Sequence, residues 1–453
     1  MSRFNLRFSP TSMYQSPPCA SSQRVLVWNR CCGLVLIMIA LAALAQPAGA
    51  NGFTLKTLHT FCERDGCPDG KSSLSGLVLD KSGVLYGTAY SGGEFDNSGR
   101  VYALTLTNGK YKYSSVYDFC LHTNCTDGLA PSGNLIQDVD GNLYGTTHFG
   151  GAEDAGVIYE LAHKRHGWSY SVLYNFCSQA NCADGALPST GLSYDGQAGG
   201  KLWDRTSPLY GTALSGGANN TGAIFQLTRN GSQWTYAVIH DLINGSSPNP
   251  VLVDRHGNLF ATSYSGGANG EGNFYELEKD TWKQTVIHIF CSDDNCTDGS
   301  NPYGPLMLDN LGNVFGVTIF GGKFDGGVMF KHPASGGYTV DYDFCNLNGC
   351  IDGYGPNSLS PGAGDGKFYG TAGSGGENQK GVVFSLALKN GSWNESVVYA
   401  FCPGGNCKSG AVPLSPLVQD SFGNLFGVTD QGGDLSCSGG TGIGCGTAFD
   451  LKK

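Results

Sequence analysis

Fourteen cysteines of this chain fall into pairs, and paired cysteines can either hold a metal or form disulfides. Six pairs share one string: "FCERDGCPDG" from Phe61, "FCLHTNCTDG" from Phe119, "FCSQANCADG" from Phe176, "FCSDDNCTDG" from Phe290, "FCNLNGCIDG" from Phe344 and "FCPGGNCKSG" from Phe401. They join Cys62 to Cys67, Cys120 to Cys125, Cys177 to Cys182, Cys291 to Cys296, Cys345 to Cys350 and Cys402 to Cys407. Cys437 and Cys445 make a seventh couple. A structural metal needs four converging ligands, and each pair here has one partner and no nearby His. Disulfides are the expected chemistry, and they imply an oxidising compartment.

Five of the strings set an acid before the closing Gly: Asp69, Asp127, Asp184, Asp298 and Asp352. A repeated carboxylate suggests calcium, but a single Asp before Gly in each loop reads as a turn residue. No metal or other cofactor is expected. The chain has no G-x-S-x-G, no H-E-x-x-H, no phosphate-binding loop and no EF-hand loop. Paired carboxylates for sugar hydrolysis, assembled only by the fold, stand as the enzyme alternative.

The cysteine strings recur because the whole chain repeats. A second string occurs seven times, as "VLYGTAYSGG" at Val84, "NLYGTTHFGG" at Asn142, "PLYGTALSGG" at Pro208, "NLFATSYSGG" at Asn258, "NVFGVTIFGG" at Asn313, "KFYGTAGSGG" at Lys367 and "NLFGVTDQGG" at Asn424. Aligned on Gly87, Gly145, Gly211, Ala261, Gly316, Gly370 and Gly427, the spacings are 58, 66, 50, 55, 54 and 57 residues. The longest contains the extra turn "GQAGGKLWDRTSP", and the shortest replaces the cysteine loop by "INGSSPNP". Fixed periods of this size mean stacked or radial repeats.

Each period holds four short runs of strand character, for example "GNLIQD", "NLYGTTH", "GVIYEL" and "YSVLYNF". Asp-x-x-Gly turns join the first two runs. Seven such units predict an all-β, seven-bladed β-propeller of four-stranded antiparallel blades. The chain starts on a fourth-strand pattern, "FTLKTLHTF", and ends on a third-strand pattern, "GTAFDL". Residues 53–61 are therefore expected to complete the last blade as an N-terminal closing strand. The repeated Gly should let the neighbouring blade approach. In the fourth strands His59, Tyr117, Tyr174, His240, His288, Tyr342 and Tyr399 should form a core layer between blades rather than a ligand cage.

Before the repeats, Arg3, Arg7, Arg24 and Arg30 precede the apolar run "CGLVLIMIALAALA" and the small-residue site Ala48-Gly49-Ala50. Residues 1–50 thus read as a secretory signal peptide, with a retained anchor as the alternative, and 51–453 as a single propeller domain. Without that segment the chain carries 23 basic and 37 acidic residues, a net of −14. Such a balance disfavours nucleic acid and anionic lipid. No later stretch is apolar enough for a membrane span.

The strings "NLYGTT-x-GG" and "D-x-x-G-N-L-x-G-T", repeated over the mature chain, resemble the GloVer tandem repeats of bacterial choice-of-anchor exported proteins. They are also similar to the repeats of two-component regulator propellers. The resemblance implies export and propeller-like repeats but no particular reaction. Family members can end in an anchoring tail, and covalent C-terminal anchoring is not expected of this chain, which stops two residues after its last strand pattern.

By parity, the loops after strands two and four share one face of an antiparallel blade. The Gly-Gly and cysteine loops should therefore crowd one face, where closing each six-residue ring stabilises the crossing by roughly 2 kcal/mol. Three residues after the aligned Gly the chemistry stops repeating: Tyr90, His148, Leu214, Tyr264, Ile319, Gly373 and Asp430. Tyr90, His148, Tyr264 and Asp430 are the candidate ligand-binding residues. The expected protein is an exported monomer, periplasmic, secreted or at the cell surface, that binds an extracellular glycan or protein. A carbohydrate-active enzyme and a purely structural adhesion protein are the alternatives.

Overall fold

Seven antiparallel sheets follow one another along the chain in a computed structural model that describes residues 52–453 apart from 96, 244–246, 365 and 438–442. The predicted signal segment lies outside the described residues. In the second blade the strands run Leu129–Gln137, Leu143–Phe149, Val157–Lys164 and Gly167–Asn175, matching the four runs read from the sequence. The turn between the first two is built as its residues dictate. Asp138 Oδ1 accepts the N–H groups of Asp140 and Asn142 at 2.9 and 2.8 Å, and Gly141 takes a φ of +87°.

The ring closes as expected. Thr54–Thr60 pairs antiparallel with Thr447–Lys452, so the start of the propeller supplies the fourth strand of the last blade and covers its edge. First and second strands of neighbouring blades approach most closely, which places them nearest the axis and the fourth strands at the rim.

The fourth strands contain a device that no alternation pattern reveals. Each pairs with its third strand in regular register until one residue bulges out. The shift falls between Val101 and Tyr102 in blade one and between Ile158 and Tyr159 in blade two, and every blade repeats it. Tyr113 and Tyr117 are four apart and would share a face in a regular strand. The bulge at Val116 turns Tyr117 to the opposite face. Tyr113 then faces the preceding blade and Tyr117 the following one.

Consequently the predicted core rings stack across four of the seven seams. His59 lies on Tyr113 at 4.3 Å between centroids, Tyr117 on Tyr170 at 4.1 Å, Tyr174 on Tyr236 at 3.7 Å and His288 on Tyr338 at 3.6 Å. The tip of each ring also meets the aspartate of its own cysteine loop: His59 Nε2 and Asp69 at 2.8 Å, Tyr117 and Asp127 at 2.8 Å, Tyr174 and Asp184 at 2.7 Å, His288 and Asp298 at 2.9 Å. These carboxylates additionally accept loop N–H groups, as Asp127 does from Leu121 at 3.0 Å. They are seam anchors rather than simple turn residues, and their lone pairs are already engaged.

Two expectations need correction. The space beside Gly87 and Gly145 is filled by Tyr102 and Tyr159 from the third strand of the same blade, not by the neighbouring blade. Close inter-blade approach instead falls on Gly156, whose added Cβ would sit 2.7 Å from Pro188 of the next blade. The insertion after Asp195 is also more than a turn. Its Trp203 is fully buried, pairs its backbone with Gln137 and packs on Tyr144 at 5.0 Å in the preceding blade.

Three seams depart from the pattern, with Gln284, Leu55 and Glu395 in the place of the facing ring. Glu395 occupies the place of Tyr113 and Tyr170, facing Tyr342 and Asp352. Burial, with the Asp352 charge adding, pushes its carboxyl up to about 8, and its Oε1 has no hydrogen-bond partner. An acid raised in the folded state contributes full stability below its unfolded value and loses it as pH rises through the folded one. Glu395→Gln should therefore raise the melting temperature at pH 8 and leave it unchanged at pH 4. Thermal melts at the two pH values check this, and equal shifts would refute it.

Candidate functional site

All seven predicted disulfides are formed, from Cys62–Cys67 to Cys437–Cys445. In the six short loops the first cysteine has a left-handed backbone, with φ of 57° to 63°, and in five of them so does the second. A residue with a Cβ pays roughly 1–2 kcal/mol for that conformation. The covalent staple holds it there, and the reason lies in the next blade. Cys125 O accepts the N–H groups of Gly128 at 2.8 Å and Gly151 at 3.0 Å. A Cβ on Gly150 would come within 2.6 Å of the same oxygen. Each cysteine loop thus caps the Gly-Gly turn of the blade it leads into, and the two strings recur together because they touch.

At the closure seam the Cys62–Cys67 and Cys437–Cys445 disulfides pack against each other. Three of their sulfurs lie within 4.8 Å of one another, but disulfide sulfurs are not thiolate ligands.

The candidate ligand-binding residues sit at the ends of the second strands, on this face and beside the axis. Tyr90, His148 and Tyr264 reach toward the blade that follows. Tyr90 lies 6.5 Å from the His148 ring, and His148 Nδ1 is 3.3 Å from the Pro188 carbonyl. Burial holds the His148 imidazole below the ordinary range, with the Pro188 contact opposing. Tyr264 lies 6.3 Å from Tyr303, edge to face. Tyr303 and Asp430 lie on the strands nearest the axis, and Asp430, two blades on, still acts electrostatically on the Tyr303 phenol. Glu271 acts in the same way on Tyr264. Of the other members of the set, Ile319 is buried and Gly373 has no side chain.

Tyr303 is the residue that sequence reasoning missed. It follows Pro302 at a place where other first strands carry Ser132, Asn249 and Asn357. Those three donate to the next blade's carbonyls, at Pro188, Pro302 and Pro413 respectively, over 2.8 to 3.1 Å. Tyr303 leaves that inner belt and remains 39% exposed. Aligning the first strands on their Pro would have singled it out.

Away from the axis, a shallow cleft of about 460 Å3 opens at the rim beside His288, Lys323 and Asp343. Two of its polar pairs are internal, His288 with Asp298 and Lys323 with Asp343.

The Gloeobacter/Verrucomicrobia repeat model matches residues 46–204 and 290–449. The chain belongs to that repeat family. The unmatched interval holds the two irregular features, Ala261 in place of the family glycine and the loop without cysteines. No curated protein matches the chain in sequence. Among solved structures, a candidate 6-phosphogluconolactonase from Bacteroides uniformis is similar with a TM-score of 0.47 and 11% identity, over 79% of this chain and 90% of that one. The GH74 enzyme of Niastella koreensis is similar with a TM-score of 0.47 and 17% identity, over 80% of this chain and 58% of that one.

Within this Gloeobacter/Verrucomicrobia repeat frame Asp430 is energetically out of place. Burial without a charged partner pushes its carboxyl up to about 6. The ionised form therefore opposes folding above that pH, and the cost vanishes below the ordinary carboxylate value near 4. Asp430→Asn should stabilise the protein at pH 8 by about 1 kcal/mol or more and by nothing at pH 3.5. Denaturant unfolding at both pH values measures the difference, and a loss of stability at pH 8 would overturn the reading.

Proposed function

We propose that this protein is an exported binding module whose loop face, at the axial funnel, takes an extracellular saccharide. The observation that carries the reading is the pairing of half-exposed rings there, Tyr264 with Tyr303 and Tyr90 with His148, in a frame that stacks its fourth-strand rings between blades. Aromatic faces contribute a large contact area at low entropic cost, and a few polar groups fix orientation. The staples add the rigidity that such a surface needs, since a preorganised site loses less entropy on binding.

One observation favours hydrolysis as a second reading. Asp430 keeps its proton to about pH 6, as a general acid would, and Glu271 lies on the same side of the funnel.

The experiment is retention of the oxidised protein on a panel of polysaccharides, with release of new sugar ends measured in parallel. Retention without release is expected. The double variant Tyr264→Ala, Tyr303→Ala should weaken retention at least about tenfold, because each ring contributes on the order of 1 kcal/mol beyond its buried area, while its melt stays cooperative. Release of sugar ends would favour hydrolysis, and unchanged retention in the double variant would place binding elsewhere.

A further inference from the structure

Among the described residues, two disulfides meet at one place, the seam where the ring closes. Cys62–Cys67 follows the closing strand Thr54–Thr60, and Cys437–Cys445 precedes the strand it pairs with, Thr447–Lys452. The meeting changes exposure. Loop disulfides such as Cys120–Cys125 and Cys177–Cys182 are half-buried, whereas Cys62 and Cys67 are buried, with the second disulfide packed on them.

The four sulfurs are not equivalent. Cys445 Sγ lies within 4.8 Å of both Cys62 Sγ and Cys67 Sγ and is buried with them. Cys437 is half-buried. A disulfide opens when a thiolate attacks the sulfur that it can reach, and the other sulfur leaves as a thiolate. A thiolate from solution therefore meets Cys437 first. The sulfur it expels is Cys445, which already lies beside a second disulfide.

Both existing links are local, closing five and eight positions, so neither joins the two ends of the ring. A bond from Cys445 to Cys62 or Cys67 would join residues 383 or 378 positions apart and tie the closing strand to the last blade. On the chain-entropy model, cross-links that enclose longer loops take more freedom from the unfolded chain.

We propose that the closure seam is a thiol-exchange site, at which a thiolate from outside re-pairs the two local disulfides into covalent links across the seam. The thiolate attacks Cys437 Sγ, forming a mixed disulfide there as the Cys437–Cys445 bond breaks. Cys445 then attacks Cys62 or Cys67, and the bond between those two breaks. The sulfur released attacks Cys437 and expels the thiol. Two disulfides break, two form, the thiol is recovered, and nothing is oxidised or reduced overall.

Tryptic mapping without reduction tests this. Cleavage after Lys56, Arg64, Lys71, Lys408 and Lys452 separates Cys62 from Cys67 but leaves Cys437 and Cys445 on one peptide. Local pairing joins 57–64 to 65–71 and leaves 409–452 apart, whereas exchanged pairing joins all three. Incubation of the folded, oxidised protein with a trace of glutathione, followed by acid quenching, should increase the three-peptide species, and the treated protein should melt at a higher temperature. Cys437→Ser leaves Cys445 a free thiol and should join 409–452 to 57–64 or 65–71 with no thiol added. Cys445→Ser should not, and both variants should melt cooperatively. The wild-type map decides without either variant: no increase in the three-peptide species overturns the proposal. Linkage of 409–452 to the other cysteine loops to the same extent overturns it too, since pairing would then be scrambled through unfolding. So does equal linkage in the two serine variants, because the place of Cys445 would not matter.

Discussion

The seams of this propeller depend on a bulge of one residue in each fourth strand. A blade must present a side chain on both faces, one to meet the blade before it and one to meet the blade after it. A regular strand would put residues four apart on the same side. The bulge turns Tyr117 away from Tyr113 and Tyr174 away from Tyr170, so these two blades present one ring to either neighbour. The stacks at 3.6 to 4.3 Å follow from that, and so do the aspartates that fix the ring tips.

From the ring tips the dependence runs inward along the cysteine loops. Each aspartate ties its loop to the seam, and each second cysteine hands its carbonyl to the Gly-Gly turn of the next blade. The disulfide keeps a left-handed backbone that the loop needs in order to reach that turn. Where the cysteine loop is missing, His240 still holds the ring position but has no such aspartate below it.

The result is a rigid, almost symmetric frame with an irregular centre. Symmetry fixes where side chains point, and only their chemistry varies from blade to blade. The inner belt of Ser132, Asn249 and Asn357 is structural because each closes a bond to the next blade. Tyr303 abandons that bond, and the half-exposed Asp430 has no hydrogen bond among the described residues.

The repeat alone determined the number of blades, the four strands in each, the Asp-x-x-Gly turns, the closing strand and the disulfide partners. These features are local or periodic, and spacing suffices to read them. The aromatic positions were legible too, as a layer between blades. Tertiary structure decided which face each ring takes, because a bulge cancels the alternation that sequence reasoning relies on. It decided that Asp127 and its equivalents anchor seams, since their donors come from a ring ten residues earlier. It also decided that Asp430, 127 positions after Tyr303 in the chain, comes near enough to act on its phenol. A closed ring brings distant blades together across its axis, and no periodicity in the sequence encodes that distance.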